Sequence, residues 1–470
     1  MPRHMLQLDY TNALDSAVGP AHGLTLAEIR RSEPRVKAVV ARIERERKRG
    51  LHGYRDLPAD RQMLRMVRAA VQRHRDGVEN LVVLGIGGSA LGNIALHRAL
   101  NPPYHNLLAT KHRRGPRLFV MDNVDPVQFA GLLEFLGPEL RKTRFNVISK
   151  SGETAETAAQ FLIVCDLLAK KLGRRALARQ LIVTTDPEAG TLREWAEHEG
   201  YDTLPVPEGV GGRFSVLSAV GLFSAGVCGV NIGQLLAGAA EMNERVAVRN
   251  VRHNPAAMLA LILYAYYVRG KRLHVMMPYS HQLDDLADWW RQLWAESLAK
   301  RNDLEGRVVG VGPTPIRALG ATDQHSQVQL YREGPNDKVF IFLEVGKFTT
   351  NVRIPRGSRV PEALYYLRGT SLAELLNAEK QATEYALVAS SRPCLTLYFP
   401  VISAATVGQF ILLWEAATTI MGGLLNVDTY NQPAVQLGKE LTFALMGHDA
   451  YRQQARAFER FAARASKYVI

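Results

Sequence analysis

The stretch Ser149-Lys150-Ser151-Gly152-Glu153-Thr154-Ala155-Glu156-Thr157 gathers four hydroxyls and one ammonium where a β-rich run gives way to a helical segment. The first turn of a helix has free backbone N–H groups and a dipole that favours anions, so these side chains make a phosphate cradle. An ordinary cap at Ser151 with Glu153 or Thr154 is the alternative, but a cap needs only one hydroxyl. The order G-x-x-x-x-G-K-[ST] of a nucleotide-binding loop is absent.

Five more groups carry chemistry by residue type. Leu84-Gly85-Ile86-Gly87-Gly88-Ser89 follows a strand and precedes a helix, and its glycines allow either a ligand close to the backbone or a plain tight turn. Glu208-Gly209-Val210-Gly211-Gly212-Arg213-Phe214-Ser215 delivers an arginine at a helix start, suited to a carboxylate, a phosphate or an enolate-like oxygen. Over Leu283 to Lys300, Leu286, Trp290, Leu293, Trp294 and Leu298 form an apolar stripe, while Gln292 and Glu296 lie one turn apart on another face. A surface ion pair from Glu296 to Lys300 is the plainer reading of that face. His325 stands in the polar run Thr322 to Gln327, and Gln432 and Lys439 flank Pro433 so that two near-helical turns bring them to one side.

The elements that must position these groups follow from hydrophobic periodicity. Gly23 to Gly50 is charged with helical spacing. Strands are expected at Leu81–Gly85, Arg117–Met121, Phe145–Ser149, Gln180–Thr184 and Thr203–Val206, separated by amphipathic helical stretches, which implies βαβ units and a parallel sheet. After a mostly helical middle, Ser215 to Val268, the cycle restarts with Lys271–Met277, Arg307–Gly312, Lys338–Val345 and Pro393–Phe399. Two successive α/β sheets without an obvious sequence repeat are the expected architecture.

Composition bounds the function. The 470 residues suffice for two or three domains, and 47% hydrophobic with 22% charged residues is ordinary globular usage. Cys165, Cys228 and Cys394 are too scattered for a disulfide framework or a metal site, so a reducing, cytoplasmic setting is expected. No signal-like or membrane-spanning run is evident: Ala256 to Val268 is too short, and Leu395 to Leu413 is interrupted by Pro400, Gly408 and Gln409. The formal charge of +13 raises nucleic acid as a partner, but the basic runs Arg42 to Arg49, Lys111 to Arg117 and Lys170 to Arg175 lack interleaved aromatics and a recognisable motif.

Taken in order from residue 80 to 447, the six segments resemble the glucose-6-phosphate isomerase (phosphoglucose isomerase) family. Glu208 to Ser215 and Gln432 to Lys439 are the most specific blocks. The resemblance implies an α/β fold of two doubly wound, parallel-sheet sugar-isomerase (SIS) domains, each a three-layer αβα sandwich. Residues 1–50 would form a helical arm, 51–230 and 231–425 the two domains, and 426–470 a helical tail. It implies an isomerase interconverting glucose 6-phosphate and fructose 6-phosphate through ring opening and a cis-enediolate, without metal or cofactor. Ser149, Lys150, Ser151, Thr154 and Thr157 would bind phosphate; Gly88, Ser89, Gly212, Gln292 and Gln432 would contact the sugar. Glu296 would be the catalytic base, Arg213 the enediolate stabiliser, and His325 with Lys439 the ring-opening pair. The family supplies that histidine across a homodimer interface.

Asn431, Ala434 and Gln436 depart from the usual C-terminal motif, and Glu153 adds a negative charge inside the phosphate loop. A dual phosphoglucose/phosphomannose isomerase is the nearest alternative, against which Gln292 argues. A non-catalytic sugar-phosphate-binding regulator is expected to lose Glu296, His325 or Lys439, and all three are present.

Overall fold

The computed structural model describes residues 4–357 and 360–465. In chain order its strands are β1 (Gln7–Asp9), β2 (Asn80–Leu84), β3 (Arg117–Met121), β4 (Thr143–Ile148), β5 (Leu181–Thr185), β6 (Asp202–Pro205), β7 (Leu273–Pro278), β8 (Lys300–Asn302), β9 (Val308–Val311), β10 (Thr314–Arg317), β11 (Lys338–Lys347) and β12 (Cys394–Val401). Every residue of β2, β4 and β5 is buried, as an interior parallel strand covered on both faces requires. The first sheet runs β3-β2-β4-β5-β6, all parallel. The second runs β1-β12-β11-β7-β10, parallel except for β1.

Numbered within each sheet, the parallel strands follow the orders 2-1-3-4-5 and 2-1-3-4, a structural repeat without sequence likeness. Each order reverses once, between β2 and β4 and between β7 and β11. Ligands of open α/β sheets bind beyond the carboxyl ends of the strands at such a reversal.

Three strand expectations need correction. The run Arg307–Gly312 does form a strand, β9, but it pairs with β8 in a separate two-stranded hairpin. Its place in the second sheet is taken by β10, a four-residue edge strand in which Pro315 hides the signal; an edge tolerates proline because one side of the strand needs no partner. The N-terminal arm is not wholly helical either, since β1 pairs antiparallel with β12 ahead of the capped helix Leu26–Arg47.

The core is organised by the 22-residue helix Ala404–Leu425, the only described helix long and apolar enough to cross a membrane, and 94% of its apolar window is buried inside the protein. It packs against the middle helices Ile232–Val246 and Pro255–Val268 and against Asp284–Leu298. Backbones approach closely there: a Cβ on Gly408 would stand 2.0 Å from the Leu235 carbonyl oxygen. Trp414 meets Trp290 and Trp294 edge-on, with ring centroids 5.3 and 5.4 Å apart.

Glu415 shares this helix, and both of its carboxyl oxygens are buried without a hydrogen-bond partner among the described residues. Burial pushes the carboxyl well above its ordinary range, against a smaller opposing pull from Arg55. The folded chain therefore binds this proton more tightly than the unfolded chain. The associated stability is full below the unfolded carboxyl value of about 4.3 and is lost as pH rises above it. Glu415→Gln is expected to raise Tm by an increment that grows with pH, reaching roughly 2 °C or more near pH 8. Thermal melts of both proteins across pH check this; a pH-independent difference would refute it.

Candidate active site

The loop after β4 enters the helix Ala155–Leu172 through Thr154, whose hydroxyl caps nothing. The hydroxyls instead bond among themselves and to the loop. Ser149 Oγ donates to Thr154 Oγ1 at 3.2 Å and accepts from the Gly152 N–H at 3.1 Å, and Ser151 Oγ accepts from the Glu153 N–H at 3.3 Å. The cap reading of Ser151 thus fails, and the first turn keeps its free N–H groups beside the hydroxyls. Gly152 sits at φ +75°, a conformation that favours glycine. Glu153 accepts from Thr191 Oγ1 at 3.3 Å, and Lys150 donates to the Val210 carbonyl at 3.3 Å.

Ser151, Glu153 and Thr154 line a cleft of about 540 Å³ whose opposite wall holds Lys439, Thr442 and Tyr451. Lys439, on the helix Gln436–Leu445, therefore faces the hydroxyl-rich loop. The short 3-10 turn Pro433–Val435 lies between Gln432 and the helix that carries Lys439, and Gln432 is not among the residues that line this cleft.

Gln432 belongs to the second cluster, built around Arg213. Arg213 is 4% exposed, and its guanidinium makes five bonds. Nε donates to Ser297 Oγ at 2.8 Å; Nη1 donates to Gln432 Oε1 at 2.8 Å and to Glu296 Oε2 at 3.3 Å; Nη2 donates to the carbonyls of Thr429 at 2.6 Å and Asn431 at 3.2 Å. Burial pushes its pKa down, and Glu296 opposes that shift. Gln292 Nε2 donates to the other Glu296 oxygen, Oε1, at 3.2 Å, so both oxygens of the carboxylate are oriented.

The helix Asp284–Leu298 follows β7, the first parallel strand of the second sheet, and packs against Leu91–Leu100, the helix that follows β2 in the first. Their packing brings the two sheets' loops together. A Cβ on Gly87 would lie 3.0 Å from Gln292 Nε2, and one on Gly88 would lie 2.3 Å from the Gly212 carbonyl carbon. Gly88, Gly212, Arg213, Gln292, Glu296 and Gln432 are thereby one constellation. Ser89 closes the turn Gly87–Ser89 next to it.

Three features escape sequence reasoning. Lys300 makes no ion pair with the Glu296 carboxylate; its ammonium donates to the backbone carbonyls of Glu296 at 2.6 Å and Ser297 at 3.0 Å, and burial lowers it to about 8. Ser297 holds Arg213, and the carbonyls of residues 429 and 431 do the same. A serine or a backbone oxygen bears no local signal of such a role. His325 lies exposed in the 3-10 turn Thr322–His325 after β10, and no described contact joins it to Arg213, Glu296 or Lys439.

The chain matches the phosphoglucose isomerase family model over residues 36–463. A glucose-6-phosphate isomerase of Carboxydothermus hydrogenoformans is 43% identical over 450 residues, 96% of each chain. One of Rubrobacter xylanophilus is 42% identical, covering 94% of this chain and 98% of its own. Among solved structures, a hypothetical protein of Thermus thermophilus superposes with a TM-score of 0.84 at 37% identity, covering 94% of this chain and all of that one. A glucose-6-phosphate isomerase of Chlamydia trachomatis shares the fold at TM-score 0.72 and 23% identity, over 86% of this chain and 77% of its own.

The contact of Gly88 with Gly212 carries a stability prediction. Gly88→Ala forces the two loops apart and is expected to cost about 1–3 kcal/mol, the range of other overpacked sites. Gly211→Ala, whose added Cβ meets nothing within 4 Å, is the control expected to change little. Denaturant midpoints of the two variants check the difference.

Proposed function

The chain belongs to the phosphoglucose isomerase family, and we propose that its two clusters divide the work of that family's reaction between them. The protein is an isomerase that interconverts glucose 6-phosphate and fructose 6-phosphate. In our reading the substrate's phosphate sits on Ser149, Ser151, Thr154 and Thr157 at the free helix N-terminus, with Lys150 beside it. Binding a dianion far from the reacting carbons supplies orientation for the chemistry at the other end.

Moving a proton between C1 and C2 takes a base that can also return it. Glu296 is that base, its carboxylate oriented by Gln292 and Arg213. Negative charge grows on the substrate oxygen as the enediolate forms, and Arg213 receives it. The 3.3 Å bond to Glu296 is the longest of the five that Arg213 makes, hence the one most easily exchanged for the substrate oxygen. The other four keep the guanidinium fixed, the preorganisation that makes a donor effective in a transition state. This held arginine beside an oriented carboxylate is the observation that carries the reading. Gly88, Ser89, Gly212 and Gln432 shape the sugar pocket around it.

Ring opening needs an acid and a base at the ring oxygen and the anomeric hydroxyl, the roles of His325 and Lys439. Because His325 lies apart from the cluster within one chain, we place it in the cleft of a second subunit of a homodimer. The two sheets and their helices are read as two doubly wound SIS domains, 51–230 and 231–425, with residues 1–50 and 426–470 as flanking extensions. Three buried, unpaired cysteines fit a cytoplasmic setting.

Glu296→Gln keeps the hydrogen-bonding shape and removes the base. Turnover is expected to fall by at least ~10²-fold, the usual contribution of a general base, while fructose 6-phosphate still binds. A coupled assay for glucose 6-phosphate with a parallel binding titration checks this, and near-normal turnover would remove Glu296 from the mechanism. Assayed in the same way, mannose 6-phosphate is expected to form far more slowly, since Gln292 rather than a small hydroxyl residue faces Gly87.

A further inference from the structure

Tyr430 lies between the two residues whose carbonyls hold Arg213, Thr429 and Asn431. Its ring turns away from the cleft into the core, 5.2 Å from the Phe214 ring and 5.5 Å from His52. The Tyr430 hydroxyl bonds His52 Nδ1, with Thr419 Oγ1 at 3.4 Å, and Thr419 in turn bonds the Tyr54 hydroxyl at 2.9 Å. The other ring nitrogen of His52 meets Glu46 Oε2 at 3.0 Å. A carboxylate only accepts, so Glu46 fixes the imidazole proton on Nε2 and leaves Nδ1 to accept the Tyr430 O–H. Burial keeps His52 neutral in support of this arrangement, Glu46 pulling the other way. His52 holds φ +60° after the helix Leu26–Arg47, which carries Glu46.

We propose that His52 and Tyr430 are positioning residues of the isomerase: their hydrogen bond holds Thr429 to Gln432 in the shape that aims Arg213 at the enediolate oxygen. Three of the five bonds on Arg213 come from this segment, two from its carbonyls and one from Gln432. Neither positioning residue touches the substrate. Loss of the anchor lets the segment relax, and the guanidinium moves with it. Since Arg213 answers charge that exists only as the enediolate forms, the loss falls on kcat more than on KM.

The proposal rests on the isomerase reading above, and kinetics of the full chain with fructose 6-phosphate separate the two. Tyr430→Phe keeps the ring packing and deletes only the hydroxyl; His52→Ala deletes the acceptor. Each is expected to lower kcat by roughly tenfold, the worth of one hydrogen bond, with KM within about twofold. The double variant should fall no further than the worse single. His52→Asn, which tolerates φ +60° and sets an amide near the Nδ1 position, should regain most of the lost kcat. Single variants with lower Tm but unaltered kcat would overturn the proposal, as would additive effects in the double variant. No turnover in the unsubstituted chain would overturn the isomerase reading itself.

Discussion

A buried guanidinium is costly unless its N–H groups are matched, and Arg213 is matched by groups from two distant parts of the chain. Residues 296 and 297 reach it from the helix that follows β7, and residues 429 to 432 reach it from the segment beyond the long core helix. Arg213 itself arrives on the glycine-rich turn after the first sheet. Satisfying one charge therefore fixes how the first sheet, the second sheet and the C-terminal segment meet. The same five bonds leave the arginine little freedom, which is what a donor aimed at transient charge requires.

Topology explains why the chemistry gathers here. Both sheets reverse their strand order once, and the loops leaving β2 and β4 border the first reversal. The helix after β2 packs on the helix after β7, so the Gln292 amide of one half lies against Gly87 of the other. Gly88 matters for distance: its backbone meets that of Gly212 where a side chain on residue 88 does not fit. On the far side, Lys439 looks across an open cleft at the uncapped helix that begins at Ala155. In the proposed arrangement the two ends of an extended sugar phosphate would meet different elements, the phosphate a helix terminus and the reacting carbons the pair of a buried Arg213 and a partly exposed Glu296. Of the 58 basic residues, Lys150, Arg213 and Lys439 have a place in this arrangement. Several others are matched on the surface, as Arg42 is with Glu46, Arg47 with Asp56 and Lys170 with Asp166, at distances of 3.6, 2.6 and 2.8 Å. Such exposed pairs contribute little to stability.

Much of this was legible in order along the chain. Interior strands announce themselves because burial on both faces demands unbroken apolar runs, so β2, β4, β5, β7, β11 and β12 lie within one or two residues of the expected ranges. The hydroxyl-rich loop, the arginine turn and the Gln292 to Glu296 spacing are local patterns, and local patterns survive reading without coordinates. The edge strand β10 does not, because Pro315 and Arg317 suit an edge and look like loop. The pairing of β1 with β12 joins residues nearly 400 apart, and nothing in Gln7–Asp9 names its partner.

Sequence alone determined which residue types are available at the ends of which elements: a carboxylate, an arginine, a hydroxyl-rich loop and a lysine. Only the tertiary structure decided which of them meet. It joined Glu296, Arg213 and Gln432, turned Lys439 to the hydroxyl-rich loop, and left His325 outside the cluster of its own chain. It also enlisted Ser297, Lys300 and two backbone carbonyls, groups whose roles come from position alone. The reason is physical: a hydrogen bond between residues 213 and 432 depends on how helices and sheets pack, and that is set by the whole core rather than by either residue's neighbours in the chain.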